Sequence, residues 1–301
     1  MLQVFITGCA TGFGNALARQ LLGDGYRVVA TDPDAEAVRR SLGEHPNLTV
    51  LSLDITRPEQ VADAAQRAGE IDVLVNNGGI AVFGTQEEAD LEKVRKLFEV
   101  NVLGTARITQ ALLPTLRRRK GTIVQLSSIA GRMVFPESGF YAASKYALEA
   151  MSEALFQEVG AFGVKVRLIQ PGNFDTPFQA HAAQNSPPPP LSSVYSDFRP
   201  IWNSRREQVL CAPQSASLVV NAIIQSLTDP RGFIRIPVGE DAVRILQLRS
   251  VLAPDAWVRL MAQRHGIDEE IPTAGDIWSD SDSILAAQAA GFLESVRAEK
   301  G

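Results

Sequence analysis

Tyr141 and Lys145 are the two residues of this sequence whose types and spacing point most directly to proton chemistry. Residues four apart lie on one face of a helix, so the hydroxyl and the ammonium can be close neighbours. A free tyrosine has a pKa of about 10 and is a poor acid or base at neutral pH. A nearby ammonium stabilises the phenolate, so the pair predicts a general acid/base whose pKa is lowered by Lys145. The same spacing is also common on helix surfaces that carry no chemistry.

A glycine-rich turn at residues 7–14, with the sequence TGCATGFG, is the second candidate for a functional role. It follows a short apolar run and precedes a helical pattern. Glycines in such a turn let the backbone pass close to a pyrophosphate, which then lies at the helix N-terminus. The spacing G-x-x-x-G-x-G differs from the commonest dinucleotide fingerprint, and glycines also serve ordinary turns. The strand–turn–helix setting nevertheless predicts a dinucleotide site.

Asp32 ends the second predicted strand, where an acidic group can bind the adenosine ribose of a dinucleotide. Its carboxylate accepts hydrogen bonds from the ribose hydroxyls and repels a 2′-phosphate. The next residue, Pro33, offers no charge to such a phosphate. These two residues favour NAD over NADP as the cofactor. A helix N-cap is the alternative role for Asp32, although Asp34 fits that role better.

The elements that must position these groups are short apolar runs alternating with helical patterns. The runs are near-continuously hydrophobic, as in parallel strands that are covered on both faces. They lie at 4–6, 28–30, 48–51, 73–75, 123–124, 166–169 and, last, 233–236. The main helical patterns between them cover 13–23, 58–68, 90–100, 101–119, 141–160 and 214–228. This alternation predicts an α/β fold, a single Rossmann-like doubly wound parallel sheet of about seven strands.

The predicted domain organisation is one large domain with an extension. Residues 1–239 form the dinucleotide-binding and catalytic domain, and residues 240–301 form a C-terminal helical extension packed on it. Helices are predicted in the extension at 240–250, 254–265 and 281–298. Residues 179–212 contain Pro187–Pro190 and follow a strand closely, where loops that cover ligands usually lie. We predict that this segment is a substrate lid; a surface linker is the alternative.

Taken together, these features resemble the short-chain dehydrogenase/reductase family. The resemblance is carried by the turn at 7–14, Asp54, Asn76-Asn77-Gly78-Gly79, Asn101, Ser128, Tyr141 with Lys145, and Pro171-Gly172 with Thr176. The features span residues 1–178 in the family's order. One departure is Gly78, which stands where the family often has alanine.

The resemblance implies a role for each of these residues. Tyr141 exchanges a proton with the substrate oxygen, and Ser128 positions that oxygen. Lys145 holds the nicotinamide ribose and lowers the pKa of the tyrosine, while Asn101 completes a proton relay through water. The implied cofactor contacts are Thr7, Gly8, Thr11, Gly12, Phe13, Gly14, Asp32, Asp54, Ile55, Asn77, Gly78, Gly79, Tyr141, Lys145, Pro171, Gly172, Phe174 and Thr176. No residue is assigned to a metal.

Within the family, the C-terminal third resembles the retinol and 17β-hydroxysteroid dehydrogenase branch, on residues 236–242 and 252–255. This implies an NAD(H)-dependent oxidoreductase acting on a bulky, mostly apolar secondary alcohol or ketone. The aromatic residues that could line its pocket are Phe135, Phe174, Phe178, Tyr195, Phe198 and Trp202; for each one taken singly, packing in the core or a loop is the favoured alternative. An NADPH-preferring carbonyl reductase is the alternative within the class. A non-catalytic NAD-binding sensor is the alternative outside it, although such proteins usually lose the tyrosine or the lysine.

The amino-acid composition limits the classes of partner that the chain is expected to bind. Its 301 residues are 45% hydrophobic and 21% charged, with a net charge of −5. That balance is ordinary for a globular protein and leaves no electrostatic footprint for nucleic acid. No apolar run is long enough to span a membrane and no basic leader precedes the first strand, so we expect a cytoplasmic protein.

Cys9 and Cys211 are expected to be reduced thiols. The resemblance also implies a homo-oligomer, a dimer or tetramer, assembled through 101–119 and 141–160.

Overall fold

A computed structural model describes residues 1–267 together with residues 287, 290, 291, 293 and 294. The described residues form a seven-stranded sheet, which confirms the predicted fold class. Its strands are β1 (Gln3–Thr7), β2 (Arg27–Asp32), β3 (Leu48–Ser52), β4 (Val73–Asn76), β5 (Thr122–Leu126), β6 (Lys165–Pro171) and β7 (Phe233–Val238). All neighbouring strands pair in parallel, in the order β3-β2-β1-β4-β5-β6-β7.

Helices cover both faces of the sheet. They are α1 (Gly12–Gly23), α2 (Ala35–Leu42), α3 (Pro58–Ala68), α4 (Leu91–Phe98), α5 (Thr105–Arg119), α6 (Gly139–Val159), α7 (Phe178–Asn185), α8 (Arg199–Val209), α9 (Ser217–Thr228), α10 (Glu240–Val251) and α11 (Pro254–Arg264). Successive side chains of a strand point to opposite faces. Val4 and Ile6 therefore belong to the core beneath α1 and α9, whereas Phe5 belongs to the core beneath α3 and α5.

The strand order reverses at β1, which lies between β2 and β4. Chain connections leave β1 and β4 in opposite directions across the sheet, so a crevice forms at the carboxyl ends of these strands. Ligands of open α/β sheets bind at such a switch point. The glycine-rich turn follows β1 directly and therefore lies at the mouth of this crevice.

The predicted helices over 90–100 and 101–119 are parts of one long helix that a wider turn interrupts. Residues Glu99–Gly104 form a π-helical segment between α4 and α5. Such segments are rare and often occur at functional sites. The segment packs tightly against the loop after β3, because a Cβ at Gly104 would lie 2.7 Å from Cγ1 of Ile55. Asn101, predicted as a site residue, lies in this widened turn and is buried.

The segment predicted as a lid contains two helices that the sequence analysis did not predict. α7 and α8 lie on either side of the proline run at 187–190, which excludes helix only at its own positions. After β7, α10 and α11 pack on the turn at 129–133 in a separate apolar cluster that includes Met133, Trp257 and Leu293. The boundary at residue 239 stays a prediction, and most of the helix predicted over 281–298 lies outside the described residues.

No helix within the described residues has the length and apolar character that a membrane crossing needs. Cys9 is buried and Cys211 is half-buried, and the two thiols are not joined in a disulfide.

Candidate active site

A cavity of about 1380 Å³ runs along the carboxyl ends of the central strands. Its wall contains the predicted catalytic residues Ser128, Tyr141 and Lys145. The predicted cofactor residues in the same wall are Thr7, Gly8, Thr11, Gly12, Phe13, Asp32, Asp54, Ile55, Asn77, Gly78, Gly79, Pro171, Gly172, Phe174 and Thr176. Gly14 and Asn101 do not line the cavity but lie directly behind its wall. One cavity therefore joins the glycine-rich turn to the tyrosine and the lysine.

The glycine-rich turn is held by close packing that its glycines permit. Gly8 has φ +73° and Gly12 has φ +61°, conformations that side chains disfavour. A Cβ at Gly14 would lie 2.2 Å from the carbonyl oxygen of Gly8, so α1 packs directly on the start of the turn. Asn77, after β4, donates its side-chain amide to the carbonyls of Thr7 (2.9 Å) and Gly8 (2.8 Å). The turn is thereby fixed from both sides.

The N-terminus of α1 has the properties of an anion site. Thr11 is the N-cap, and its side chain makes no capping hydrogen bond, so the first backbone N–H groups keep their donor capacity for a ligand. Gly12, the first residue of the helix, borders open space, because a Cβ there would come no nearer than 3.9 Å to another atom, Cβ of Thr176. This cradle fits the pyrophosphate of a nicotinamide dinucleotide.

Asp32 lines the cavity and also braces the turn. Its carboxylate accepts hydrogen bonds from the backbone N–H groups of Ala10 and Asp34, each at 3.0 Å. Asp34, not Asp32, is the N-cap of α2 and accepts from the backbone N–H of Ala37 at 2.9 Å. The carboxylate of Asp54 likewise bonds within its own turn, to the backbone N–H and hydroxyl of Thr56.

Tyr141 is buried near the start of α6, with 8% of its surface exposed. Its ring contacts those of Phe83 and Phe178, each 5.9 Å away between centroids. Burial raises the pKa of Tyr141 to about 12, and the nearby hydroxyl of Ser128 opposes this rise. Ser128 itself caps the short turn Ile129–Gly131 by accepting from the backbone N–H of Ala130. Tyr141 therefore keeps its proton at neutral pH and lies near a serine whose side chain is fixed.

Lys145 lies one helical turn beyond Tyr141, and its Nζ is 5.9 Å from the centroid of the tyrosine ring. Nζ donates a hydrogen bond to the carbonyl of Leu126 at 2.8 Å. Burial lowers the pKa of Lys145 to about 8, while the carboxylate of Glu149 raises it. The net pKa of Tyr141 is nevertheless raised, because burial of the phenol outweighs the opposing effect of Ser128. The lowering of this pKa by Lys145 stays a prediction.

The side chain of Asn101 is fully engaged with the protein. Its Oδ1 accepts from the backbone N–H of Ile80, and its Nδ2 donates to the carbonyl of Ile80, both at 2.9 Å. Nδ2 also donates to Oγ of Ser144 at 3.1 Å. Asn101 thus fastens the loop after β4 to α6, immediately behind the lysine. The relay through water that the family resemblance implies for it stays a prediction.

The turn at Pro171-Gly172 depends on a residue that sequence reasoning missed. Asp241 is fully buried at the start of α10 and accepts from the backbone N–H of Asn173 at 2.8 Å. A Cβ at Gly172 would lie 2.0 Å from its Oδ1, so glycine is required there. The sequence signal that could have identified Asp241 is an acidic residue in the first turn of a predicted helix. The first turn of α10 therefore holds the turn that faces the cavity.

Only half of the predicted aromatic lining lies in the cavity. Phe135, Phe174 and Phe178 are in its wall. The rings of Tyr195 and Phe198 contact that of Trp202 instead, and none of the three lines the cavity, so packing, the favoured alternative for each, applies to them. The reason is local: these residues lie in and just before α8, a helix without a buried residue.

The segment at 179–212 borders the cavity and is tied down by ion pairs. It contributes Gln179, His181, Arg206, Glu207, Leu210, Cys211 and Ala212 to the wall. Arg199 pairs with Glu88 and Glu137, and all three side chains are at least four-fifths buried. Glu88 belongs to the loop before α4, and Glu137 belongs to the loop before α6. Arg199 therefore joins this segment to both loops; whether it acts as a lid stays a prediction.

The chain is similar to known proteins over most of its length. The family model described as short chain dehydrogenase matches residues 3–187. Human 17-beta-hydroxysteroid dehydrogenase type 6 is 35% identical over 259 residues, which are 79% of this chain and 81% of that protein. Mouse retinol dehydrogenase 7 is 42% identical over 182 residues, which are 58% of this chain and 57% of that protein. A short chain dehydrogenase from Burkholderia cenocepacia J2315, solved in complex with NADP, has a TM-score of 0.69 and 28% identity, over 88% of this chain and 97% of that one.

Proposed function

The chain belongs to the short-chain dehydrogenase family, and from that premise we propose that it transfers hydride between NAD(H) and a bulky, mostly apolar secondary alcohol or ketone. The family consists of oxidoreductases that use a nicotinamide cofactor, NAD or NADP. The observation that carries the proposal is the buried Tyr141, which shares one cavity wall with Ser128, Lys145 and the glycine-rich turn.

The cofactor is proposed to occupy the length of the cavity. Gly8, Gly12 and the N-terminus of α1 hold its pyrophosphate, and Asp32 binds the adenosine ribose. Lys145 binds the nicotinamide ribose, and the turn at Pro171-Gly172, with Thr176, orients the carboxamide. The bound nicotinamide supplies the hydride chemistry, and the protein supplies orientation and proton transfer.

Proton transfer is assigned to Tyr141. In ketone reduction its hydroxyl gives a proton to the substrate oxygen, and in alcohol oxidation the phenolate takes that proton back. Ser128 holds the same oxygen through its hydroxyl, which the cap at Ala130 keeps in place. The ammonium of Lys145 stabilises the phenolate that forms when the tyrosine gives up its proton. Burial of Tyr141 and Lys145 strengthens these interactions by excluding water.

The proposed substrate class rests on the shape and lining of the cavity. Its volume of about 1380 Å³ exceeds the roughly 300–1,000 Å³ of common ligand pockets, so a bulky substrate fits beside a cofactor. Phe135, Phe178 and Leu210 contribute apolar side chains to the cavity wall, and Phe178 does so next to Tyr141. The names of the human and mouse relatives, a hydroxysteroid and a retinol dehydrogenase, support an apolar alcohol.

A substrate panel tests this proposal. With NAD present, NADH is expected to appear with a bulky cyclic secondary alcohol and not with a short polar alcohol as matched control. Absorbance of the reduced cofactor reports the rate in both arms. Turnover restricted to the short alcohol would contradict the substrate class, and no turnover with any alcohol or ketone would leave the sensor alternative.

Cofactor choice is the second prediction. The carboxylate of Asp32 repels a 2′-phosphate, so the wild-type protein is expected to prefer NAD, and Asp32→Asn is expected to raise kcat/KM for NADP about tenfold. Asparagine keeps an acceptor for the backbone N–H of Ala10 while removing the charge. Steady-state kinetics with both cofactors measure this. The NADP bound to the Burkholderia relative supports the competing hypothesis of an NADPH-preferring carbonyl reductase, and wild-type preference for NADP would establish it.

Two further expectations stay predictions. A cytoplasmic location follows from the sequence analysis alone. A homo-oligomer that assembles through residues 101–119 and 141–160, which correspond largely to α5 and α6, is implied by the family resemblance.

A further inference from the structure

Glu149 is a buried carboxylate to which the proposed mechanism gives no role. It lies one helical turn beyond Lys145 on α6, and 4% of its surface is exposed. A buried carboxylate is destabilising unless hydrogen bonds and an opposite charge compensate it. Here three donors do so: Oγ of Ser127 at 2.5 Å, Nε2 of Gln170 at 3.0 Å and Nε of Arg235 at 2.8 Å.

One partner of Glu149, Ser127, lies at the exit of β5 beside the proposed catalytic Ser128, whereas Gln170 and Arg235 belong to β6 and β7. Ser127 immediately precedes Ser128, and the carbonyl of Leu126, one residue earlier, accepts the hydrogen bond from Lys145. The following turn packs on the same carboxylate, because a Cβ at Gly131 would lie 3.0 Å from Cγ of Glu149. The carboxylate thus contacts the chain on both sides of Ser128.

We propose that Glu149 is a positioning residue that fixes the β5 exit and keeps the ammonium of Lys145 charged, with Arg235 as its counter-ion. The proposal rests on the proposed function, since it concerns the same lysine. Glu149 acts through Ser127 and Lys145 and does not itself line the cavity.

The electrostatic part of the proposal has a definite sign. Burial lowers the pKa of Lys145 to about 8, and Glu149 opposes that fall. Removing the negative charge therefore makes Lys145 lose its proton at a lower pH. The uncompensated Arg235 acts in the same direction. In ketone reduction the neutral amine no longer stabilises the tyrosine phenolate, so the rate falls as the pH rises through the pKa of Lys145.

Other charged groups face this part of α6 and must be separated from Glu149. Glu153 forms an ion pair with Arg235 from a mostly exposed position. Arg132, just after the turn at 129–131, and Arg249 of α10 both lie near Tyr146. Their positive charges oppose the rise that burial causes in the pKa of Tyr146. Among these, Glu153 shares the counter-ion of Glu149 without the contact to Ser127, so it is the matched control.

The test is the pH dependence of ketone reduction in four proteins. Glu149→Gln is expected to move the alkaline limb of kcat to lower pH by about one unit. Glu149→Asp keeps the charge and is expected to restore the position of that limb, and Glu153→Gln is expected to leave it unchanged. A fall in rate at all pH values together with the shifted limb is expected in Glu149→Gln, because both the β5 exit and the charge of Lys145 depend on Glu149. An unshifted limb in Glu149→Gln, or an equal shift in Glu153→Gln, would overturn the proposal.

A second readout separates this proposal from the proposed function. Labelling of Lys145 by acetic anhydride at a series of pH values, followed by peptide mass spectrometry, reports the lysine titration without turnover. The midpoint is expected to fall in Glu149→Gln, and an unchanged midpoint would overturn the proposal even if ketones are reduced. Absence of wild-type turnover would overturn the proposed function alone. If Glu149→Gln does not fold, Glu149→Gln combined with Arg235→Met removes both charges and is expected to show the same direction.

Discussion

Gly14→Ala is expected to weaken cofactor binding by about 100-fold or more, which corresponds to about 3 kcal/mol. The added Cβ would lie 2.2 Å from the carbonyl oxygen of Gly8 and 2.5 Å from Nδ2 of Asn77, so the turn and the helix must move apart. The N-terminus of α1 then no longer meets the pyrophosphate in the same place. Titration of NAD by quenching of protein fluorescence measures the loss.

Gly23→Ala is the matched control for that substitution. Gly23 is the last residue of the same helix, and nothing lies within 4 Å of a Cβ built there. Alanine is a better helix former than glycine, so this variant is expected to be as stable as the wild type or slightly more so, with unchanged affinity. Wild-type affinity in Gly14→Ala, with the fold verified by circular dichroism, would show that the turn does not hold the cofactor.

Tyr141→Phe is expected to lower kcat by a factor of about 10² to 10⁴ while NAD binding persists. The substitution removes the hydroxyl but keeps the ring between Phe83 and Phe178. Turnover of a secondary alcohol and the Kd for NAD are measured on the same preparation. A large fall in kcat with an unchanged Kd for NAD is the informative result.

Tyr146→Phe provides the comparison for the catalytic tyrosine. Tyr146 lies on the same helix, is 39% exposed and does not line the cavity. Its loss of a hydroxyl is expected to leave kcat within about twofold of the wild type, since surface changes have small effects. Equal losses in the two variants would assign the effect to packing of α6 and not to proton transfer.

The sheet was predictable because parallel strands covered on both faces must be hydrophobic along their whole length. The run at 73–75, for example, is β4 in the structure, extended only by Asn76. The role of Gly8, Gly12 and Gly14 was equally predictable, because the turn that contains them lies between a predicted strand and a predicted helix. Both features are local in sequence, and local patterns carry this information.

Contacts between distant residues were not predictable in the same way. Glu149 meets Arg235 and Gly172 meets Asp241 only because β6, β7 and α10 assemble side by side, and no periodicity records such a pairing. The pKa of Tyr141 shows the same limit: the spacing placed Lys145 on its face of the helix, but the degree of burial depends on the whole fold. The place of Trp202 and its aromatic neighbours outside the cavity was not predictable, because aromatic character alone does not say which surface a side chain covers.

Transfer of deuterium tests the central claim most directly. A bulky apolar secondary alcohol carrying deuterium on its carbinol carbon is incubated with NAD and the protein, and the reduced cofactor is analysed by mass spectrometry. The account predicts deuterium in the nicotinamide with the wild-type protein and at least about 100-fold slower labelling with Tyr141→Phe at saturating NAD. An unlabelled cofactor with the wild type, or equal labelling rates in the two proteins, would contradict it.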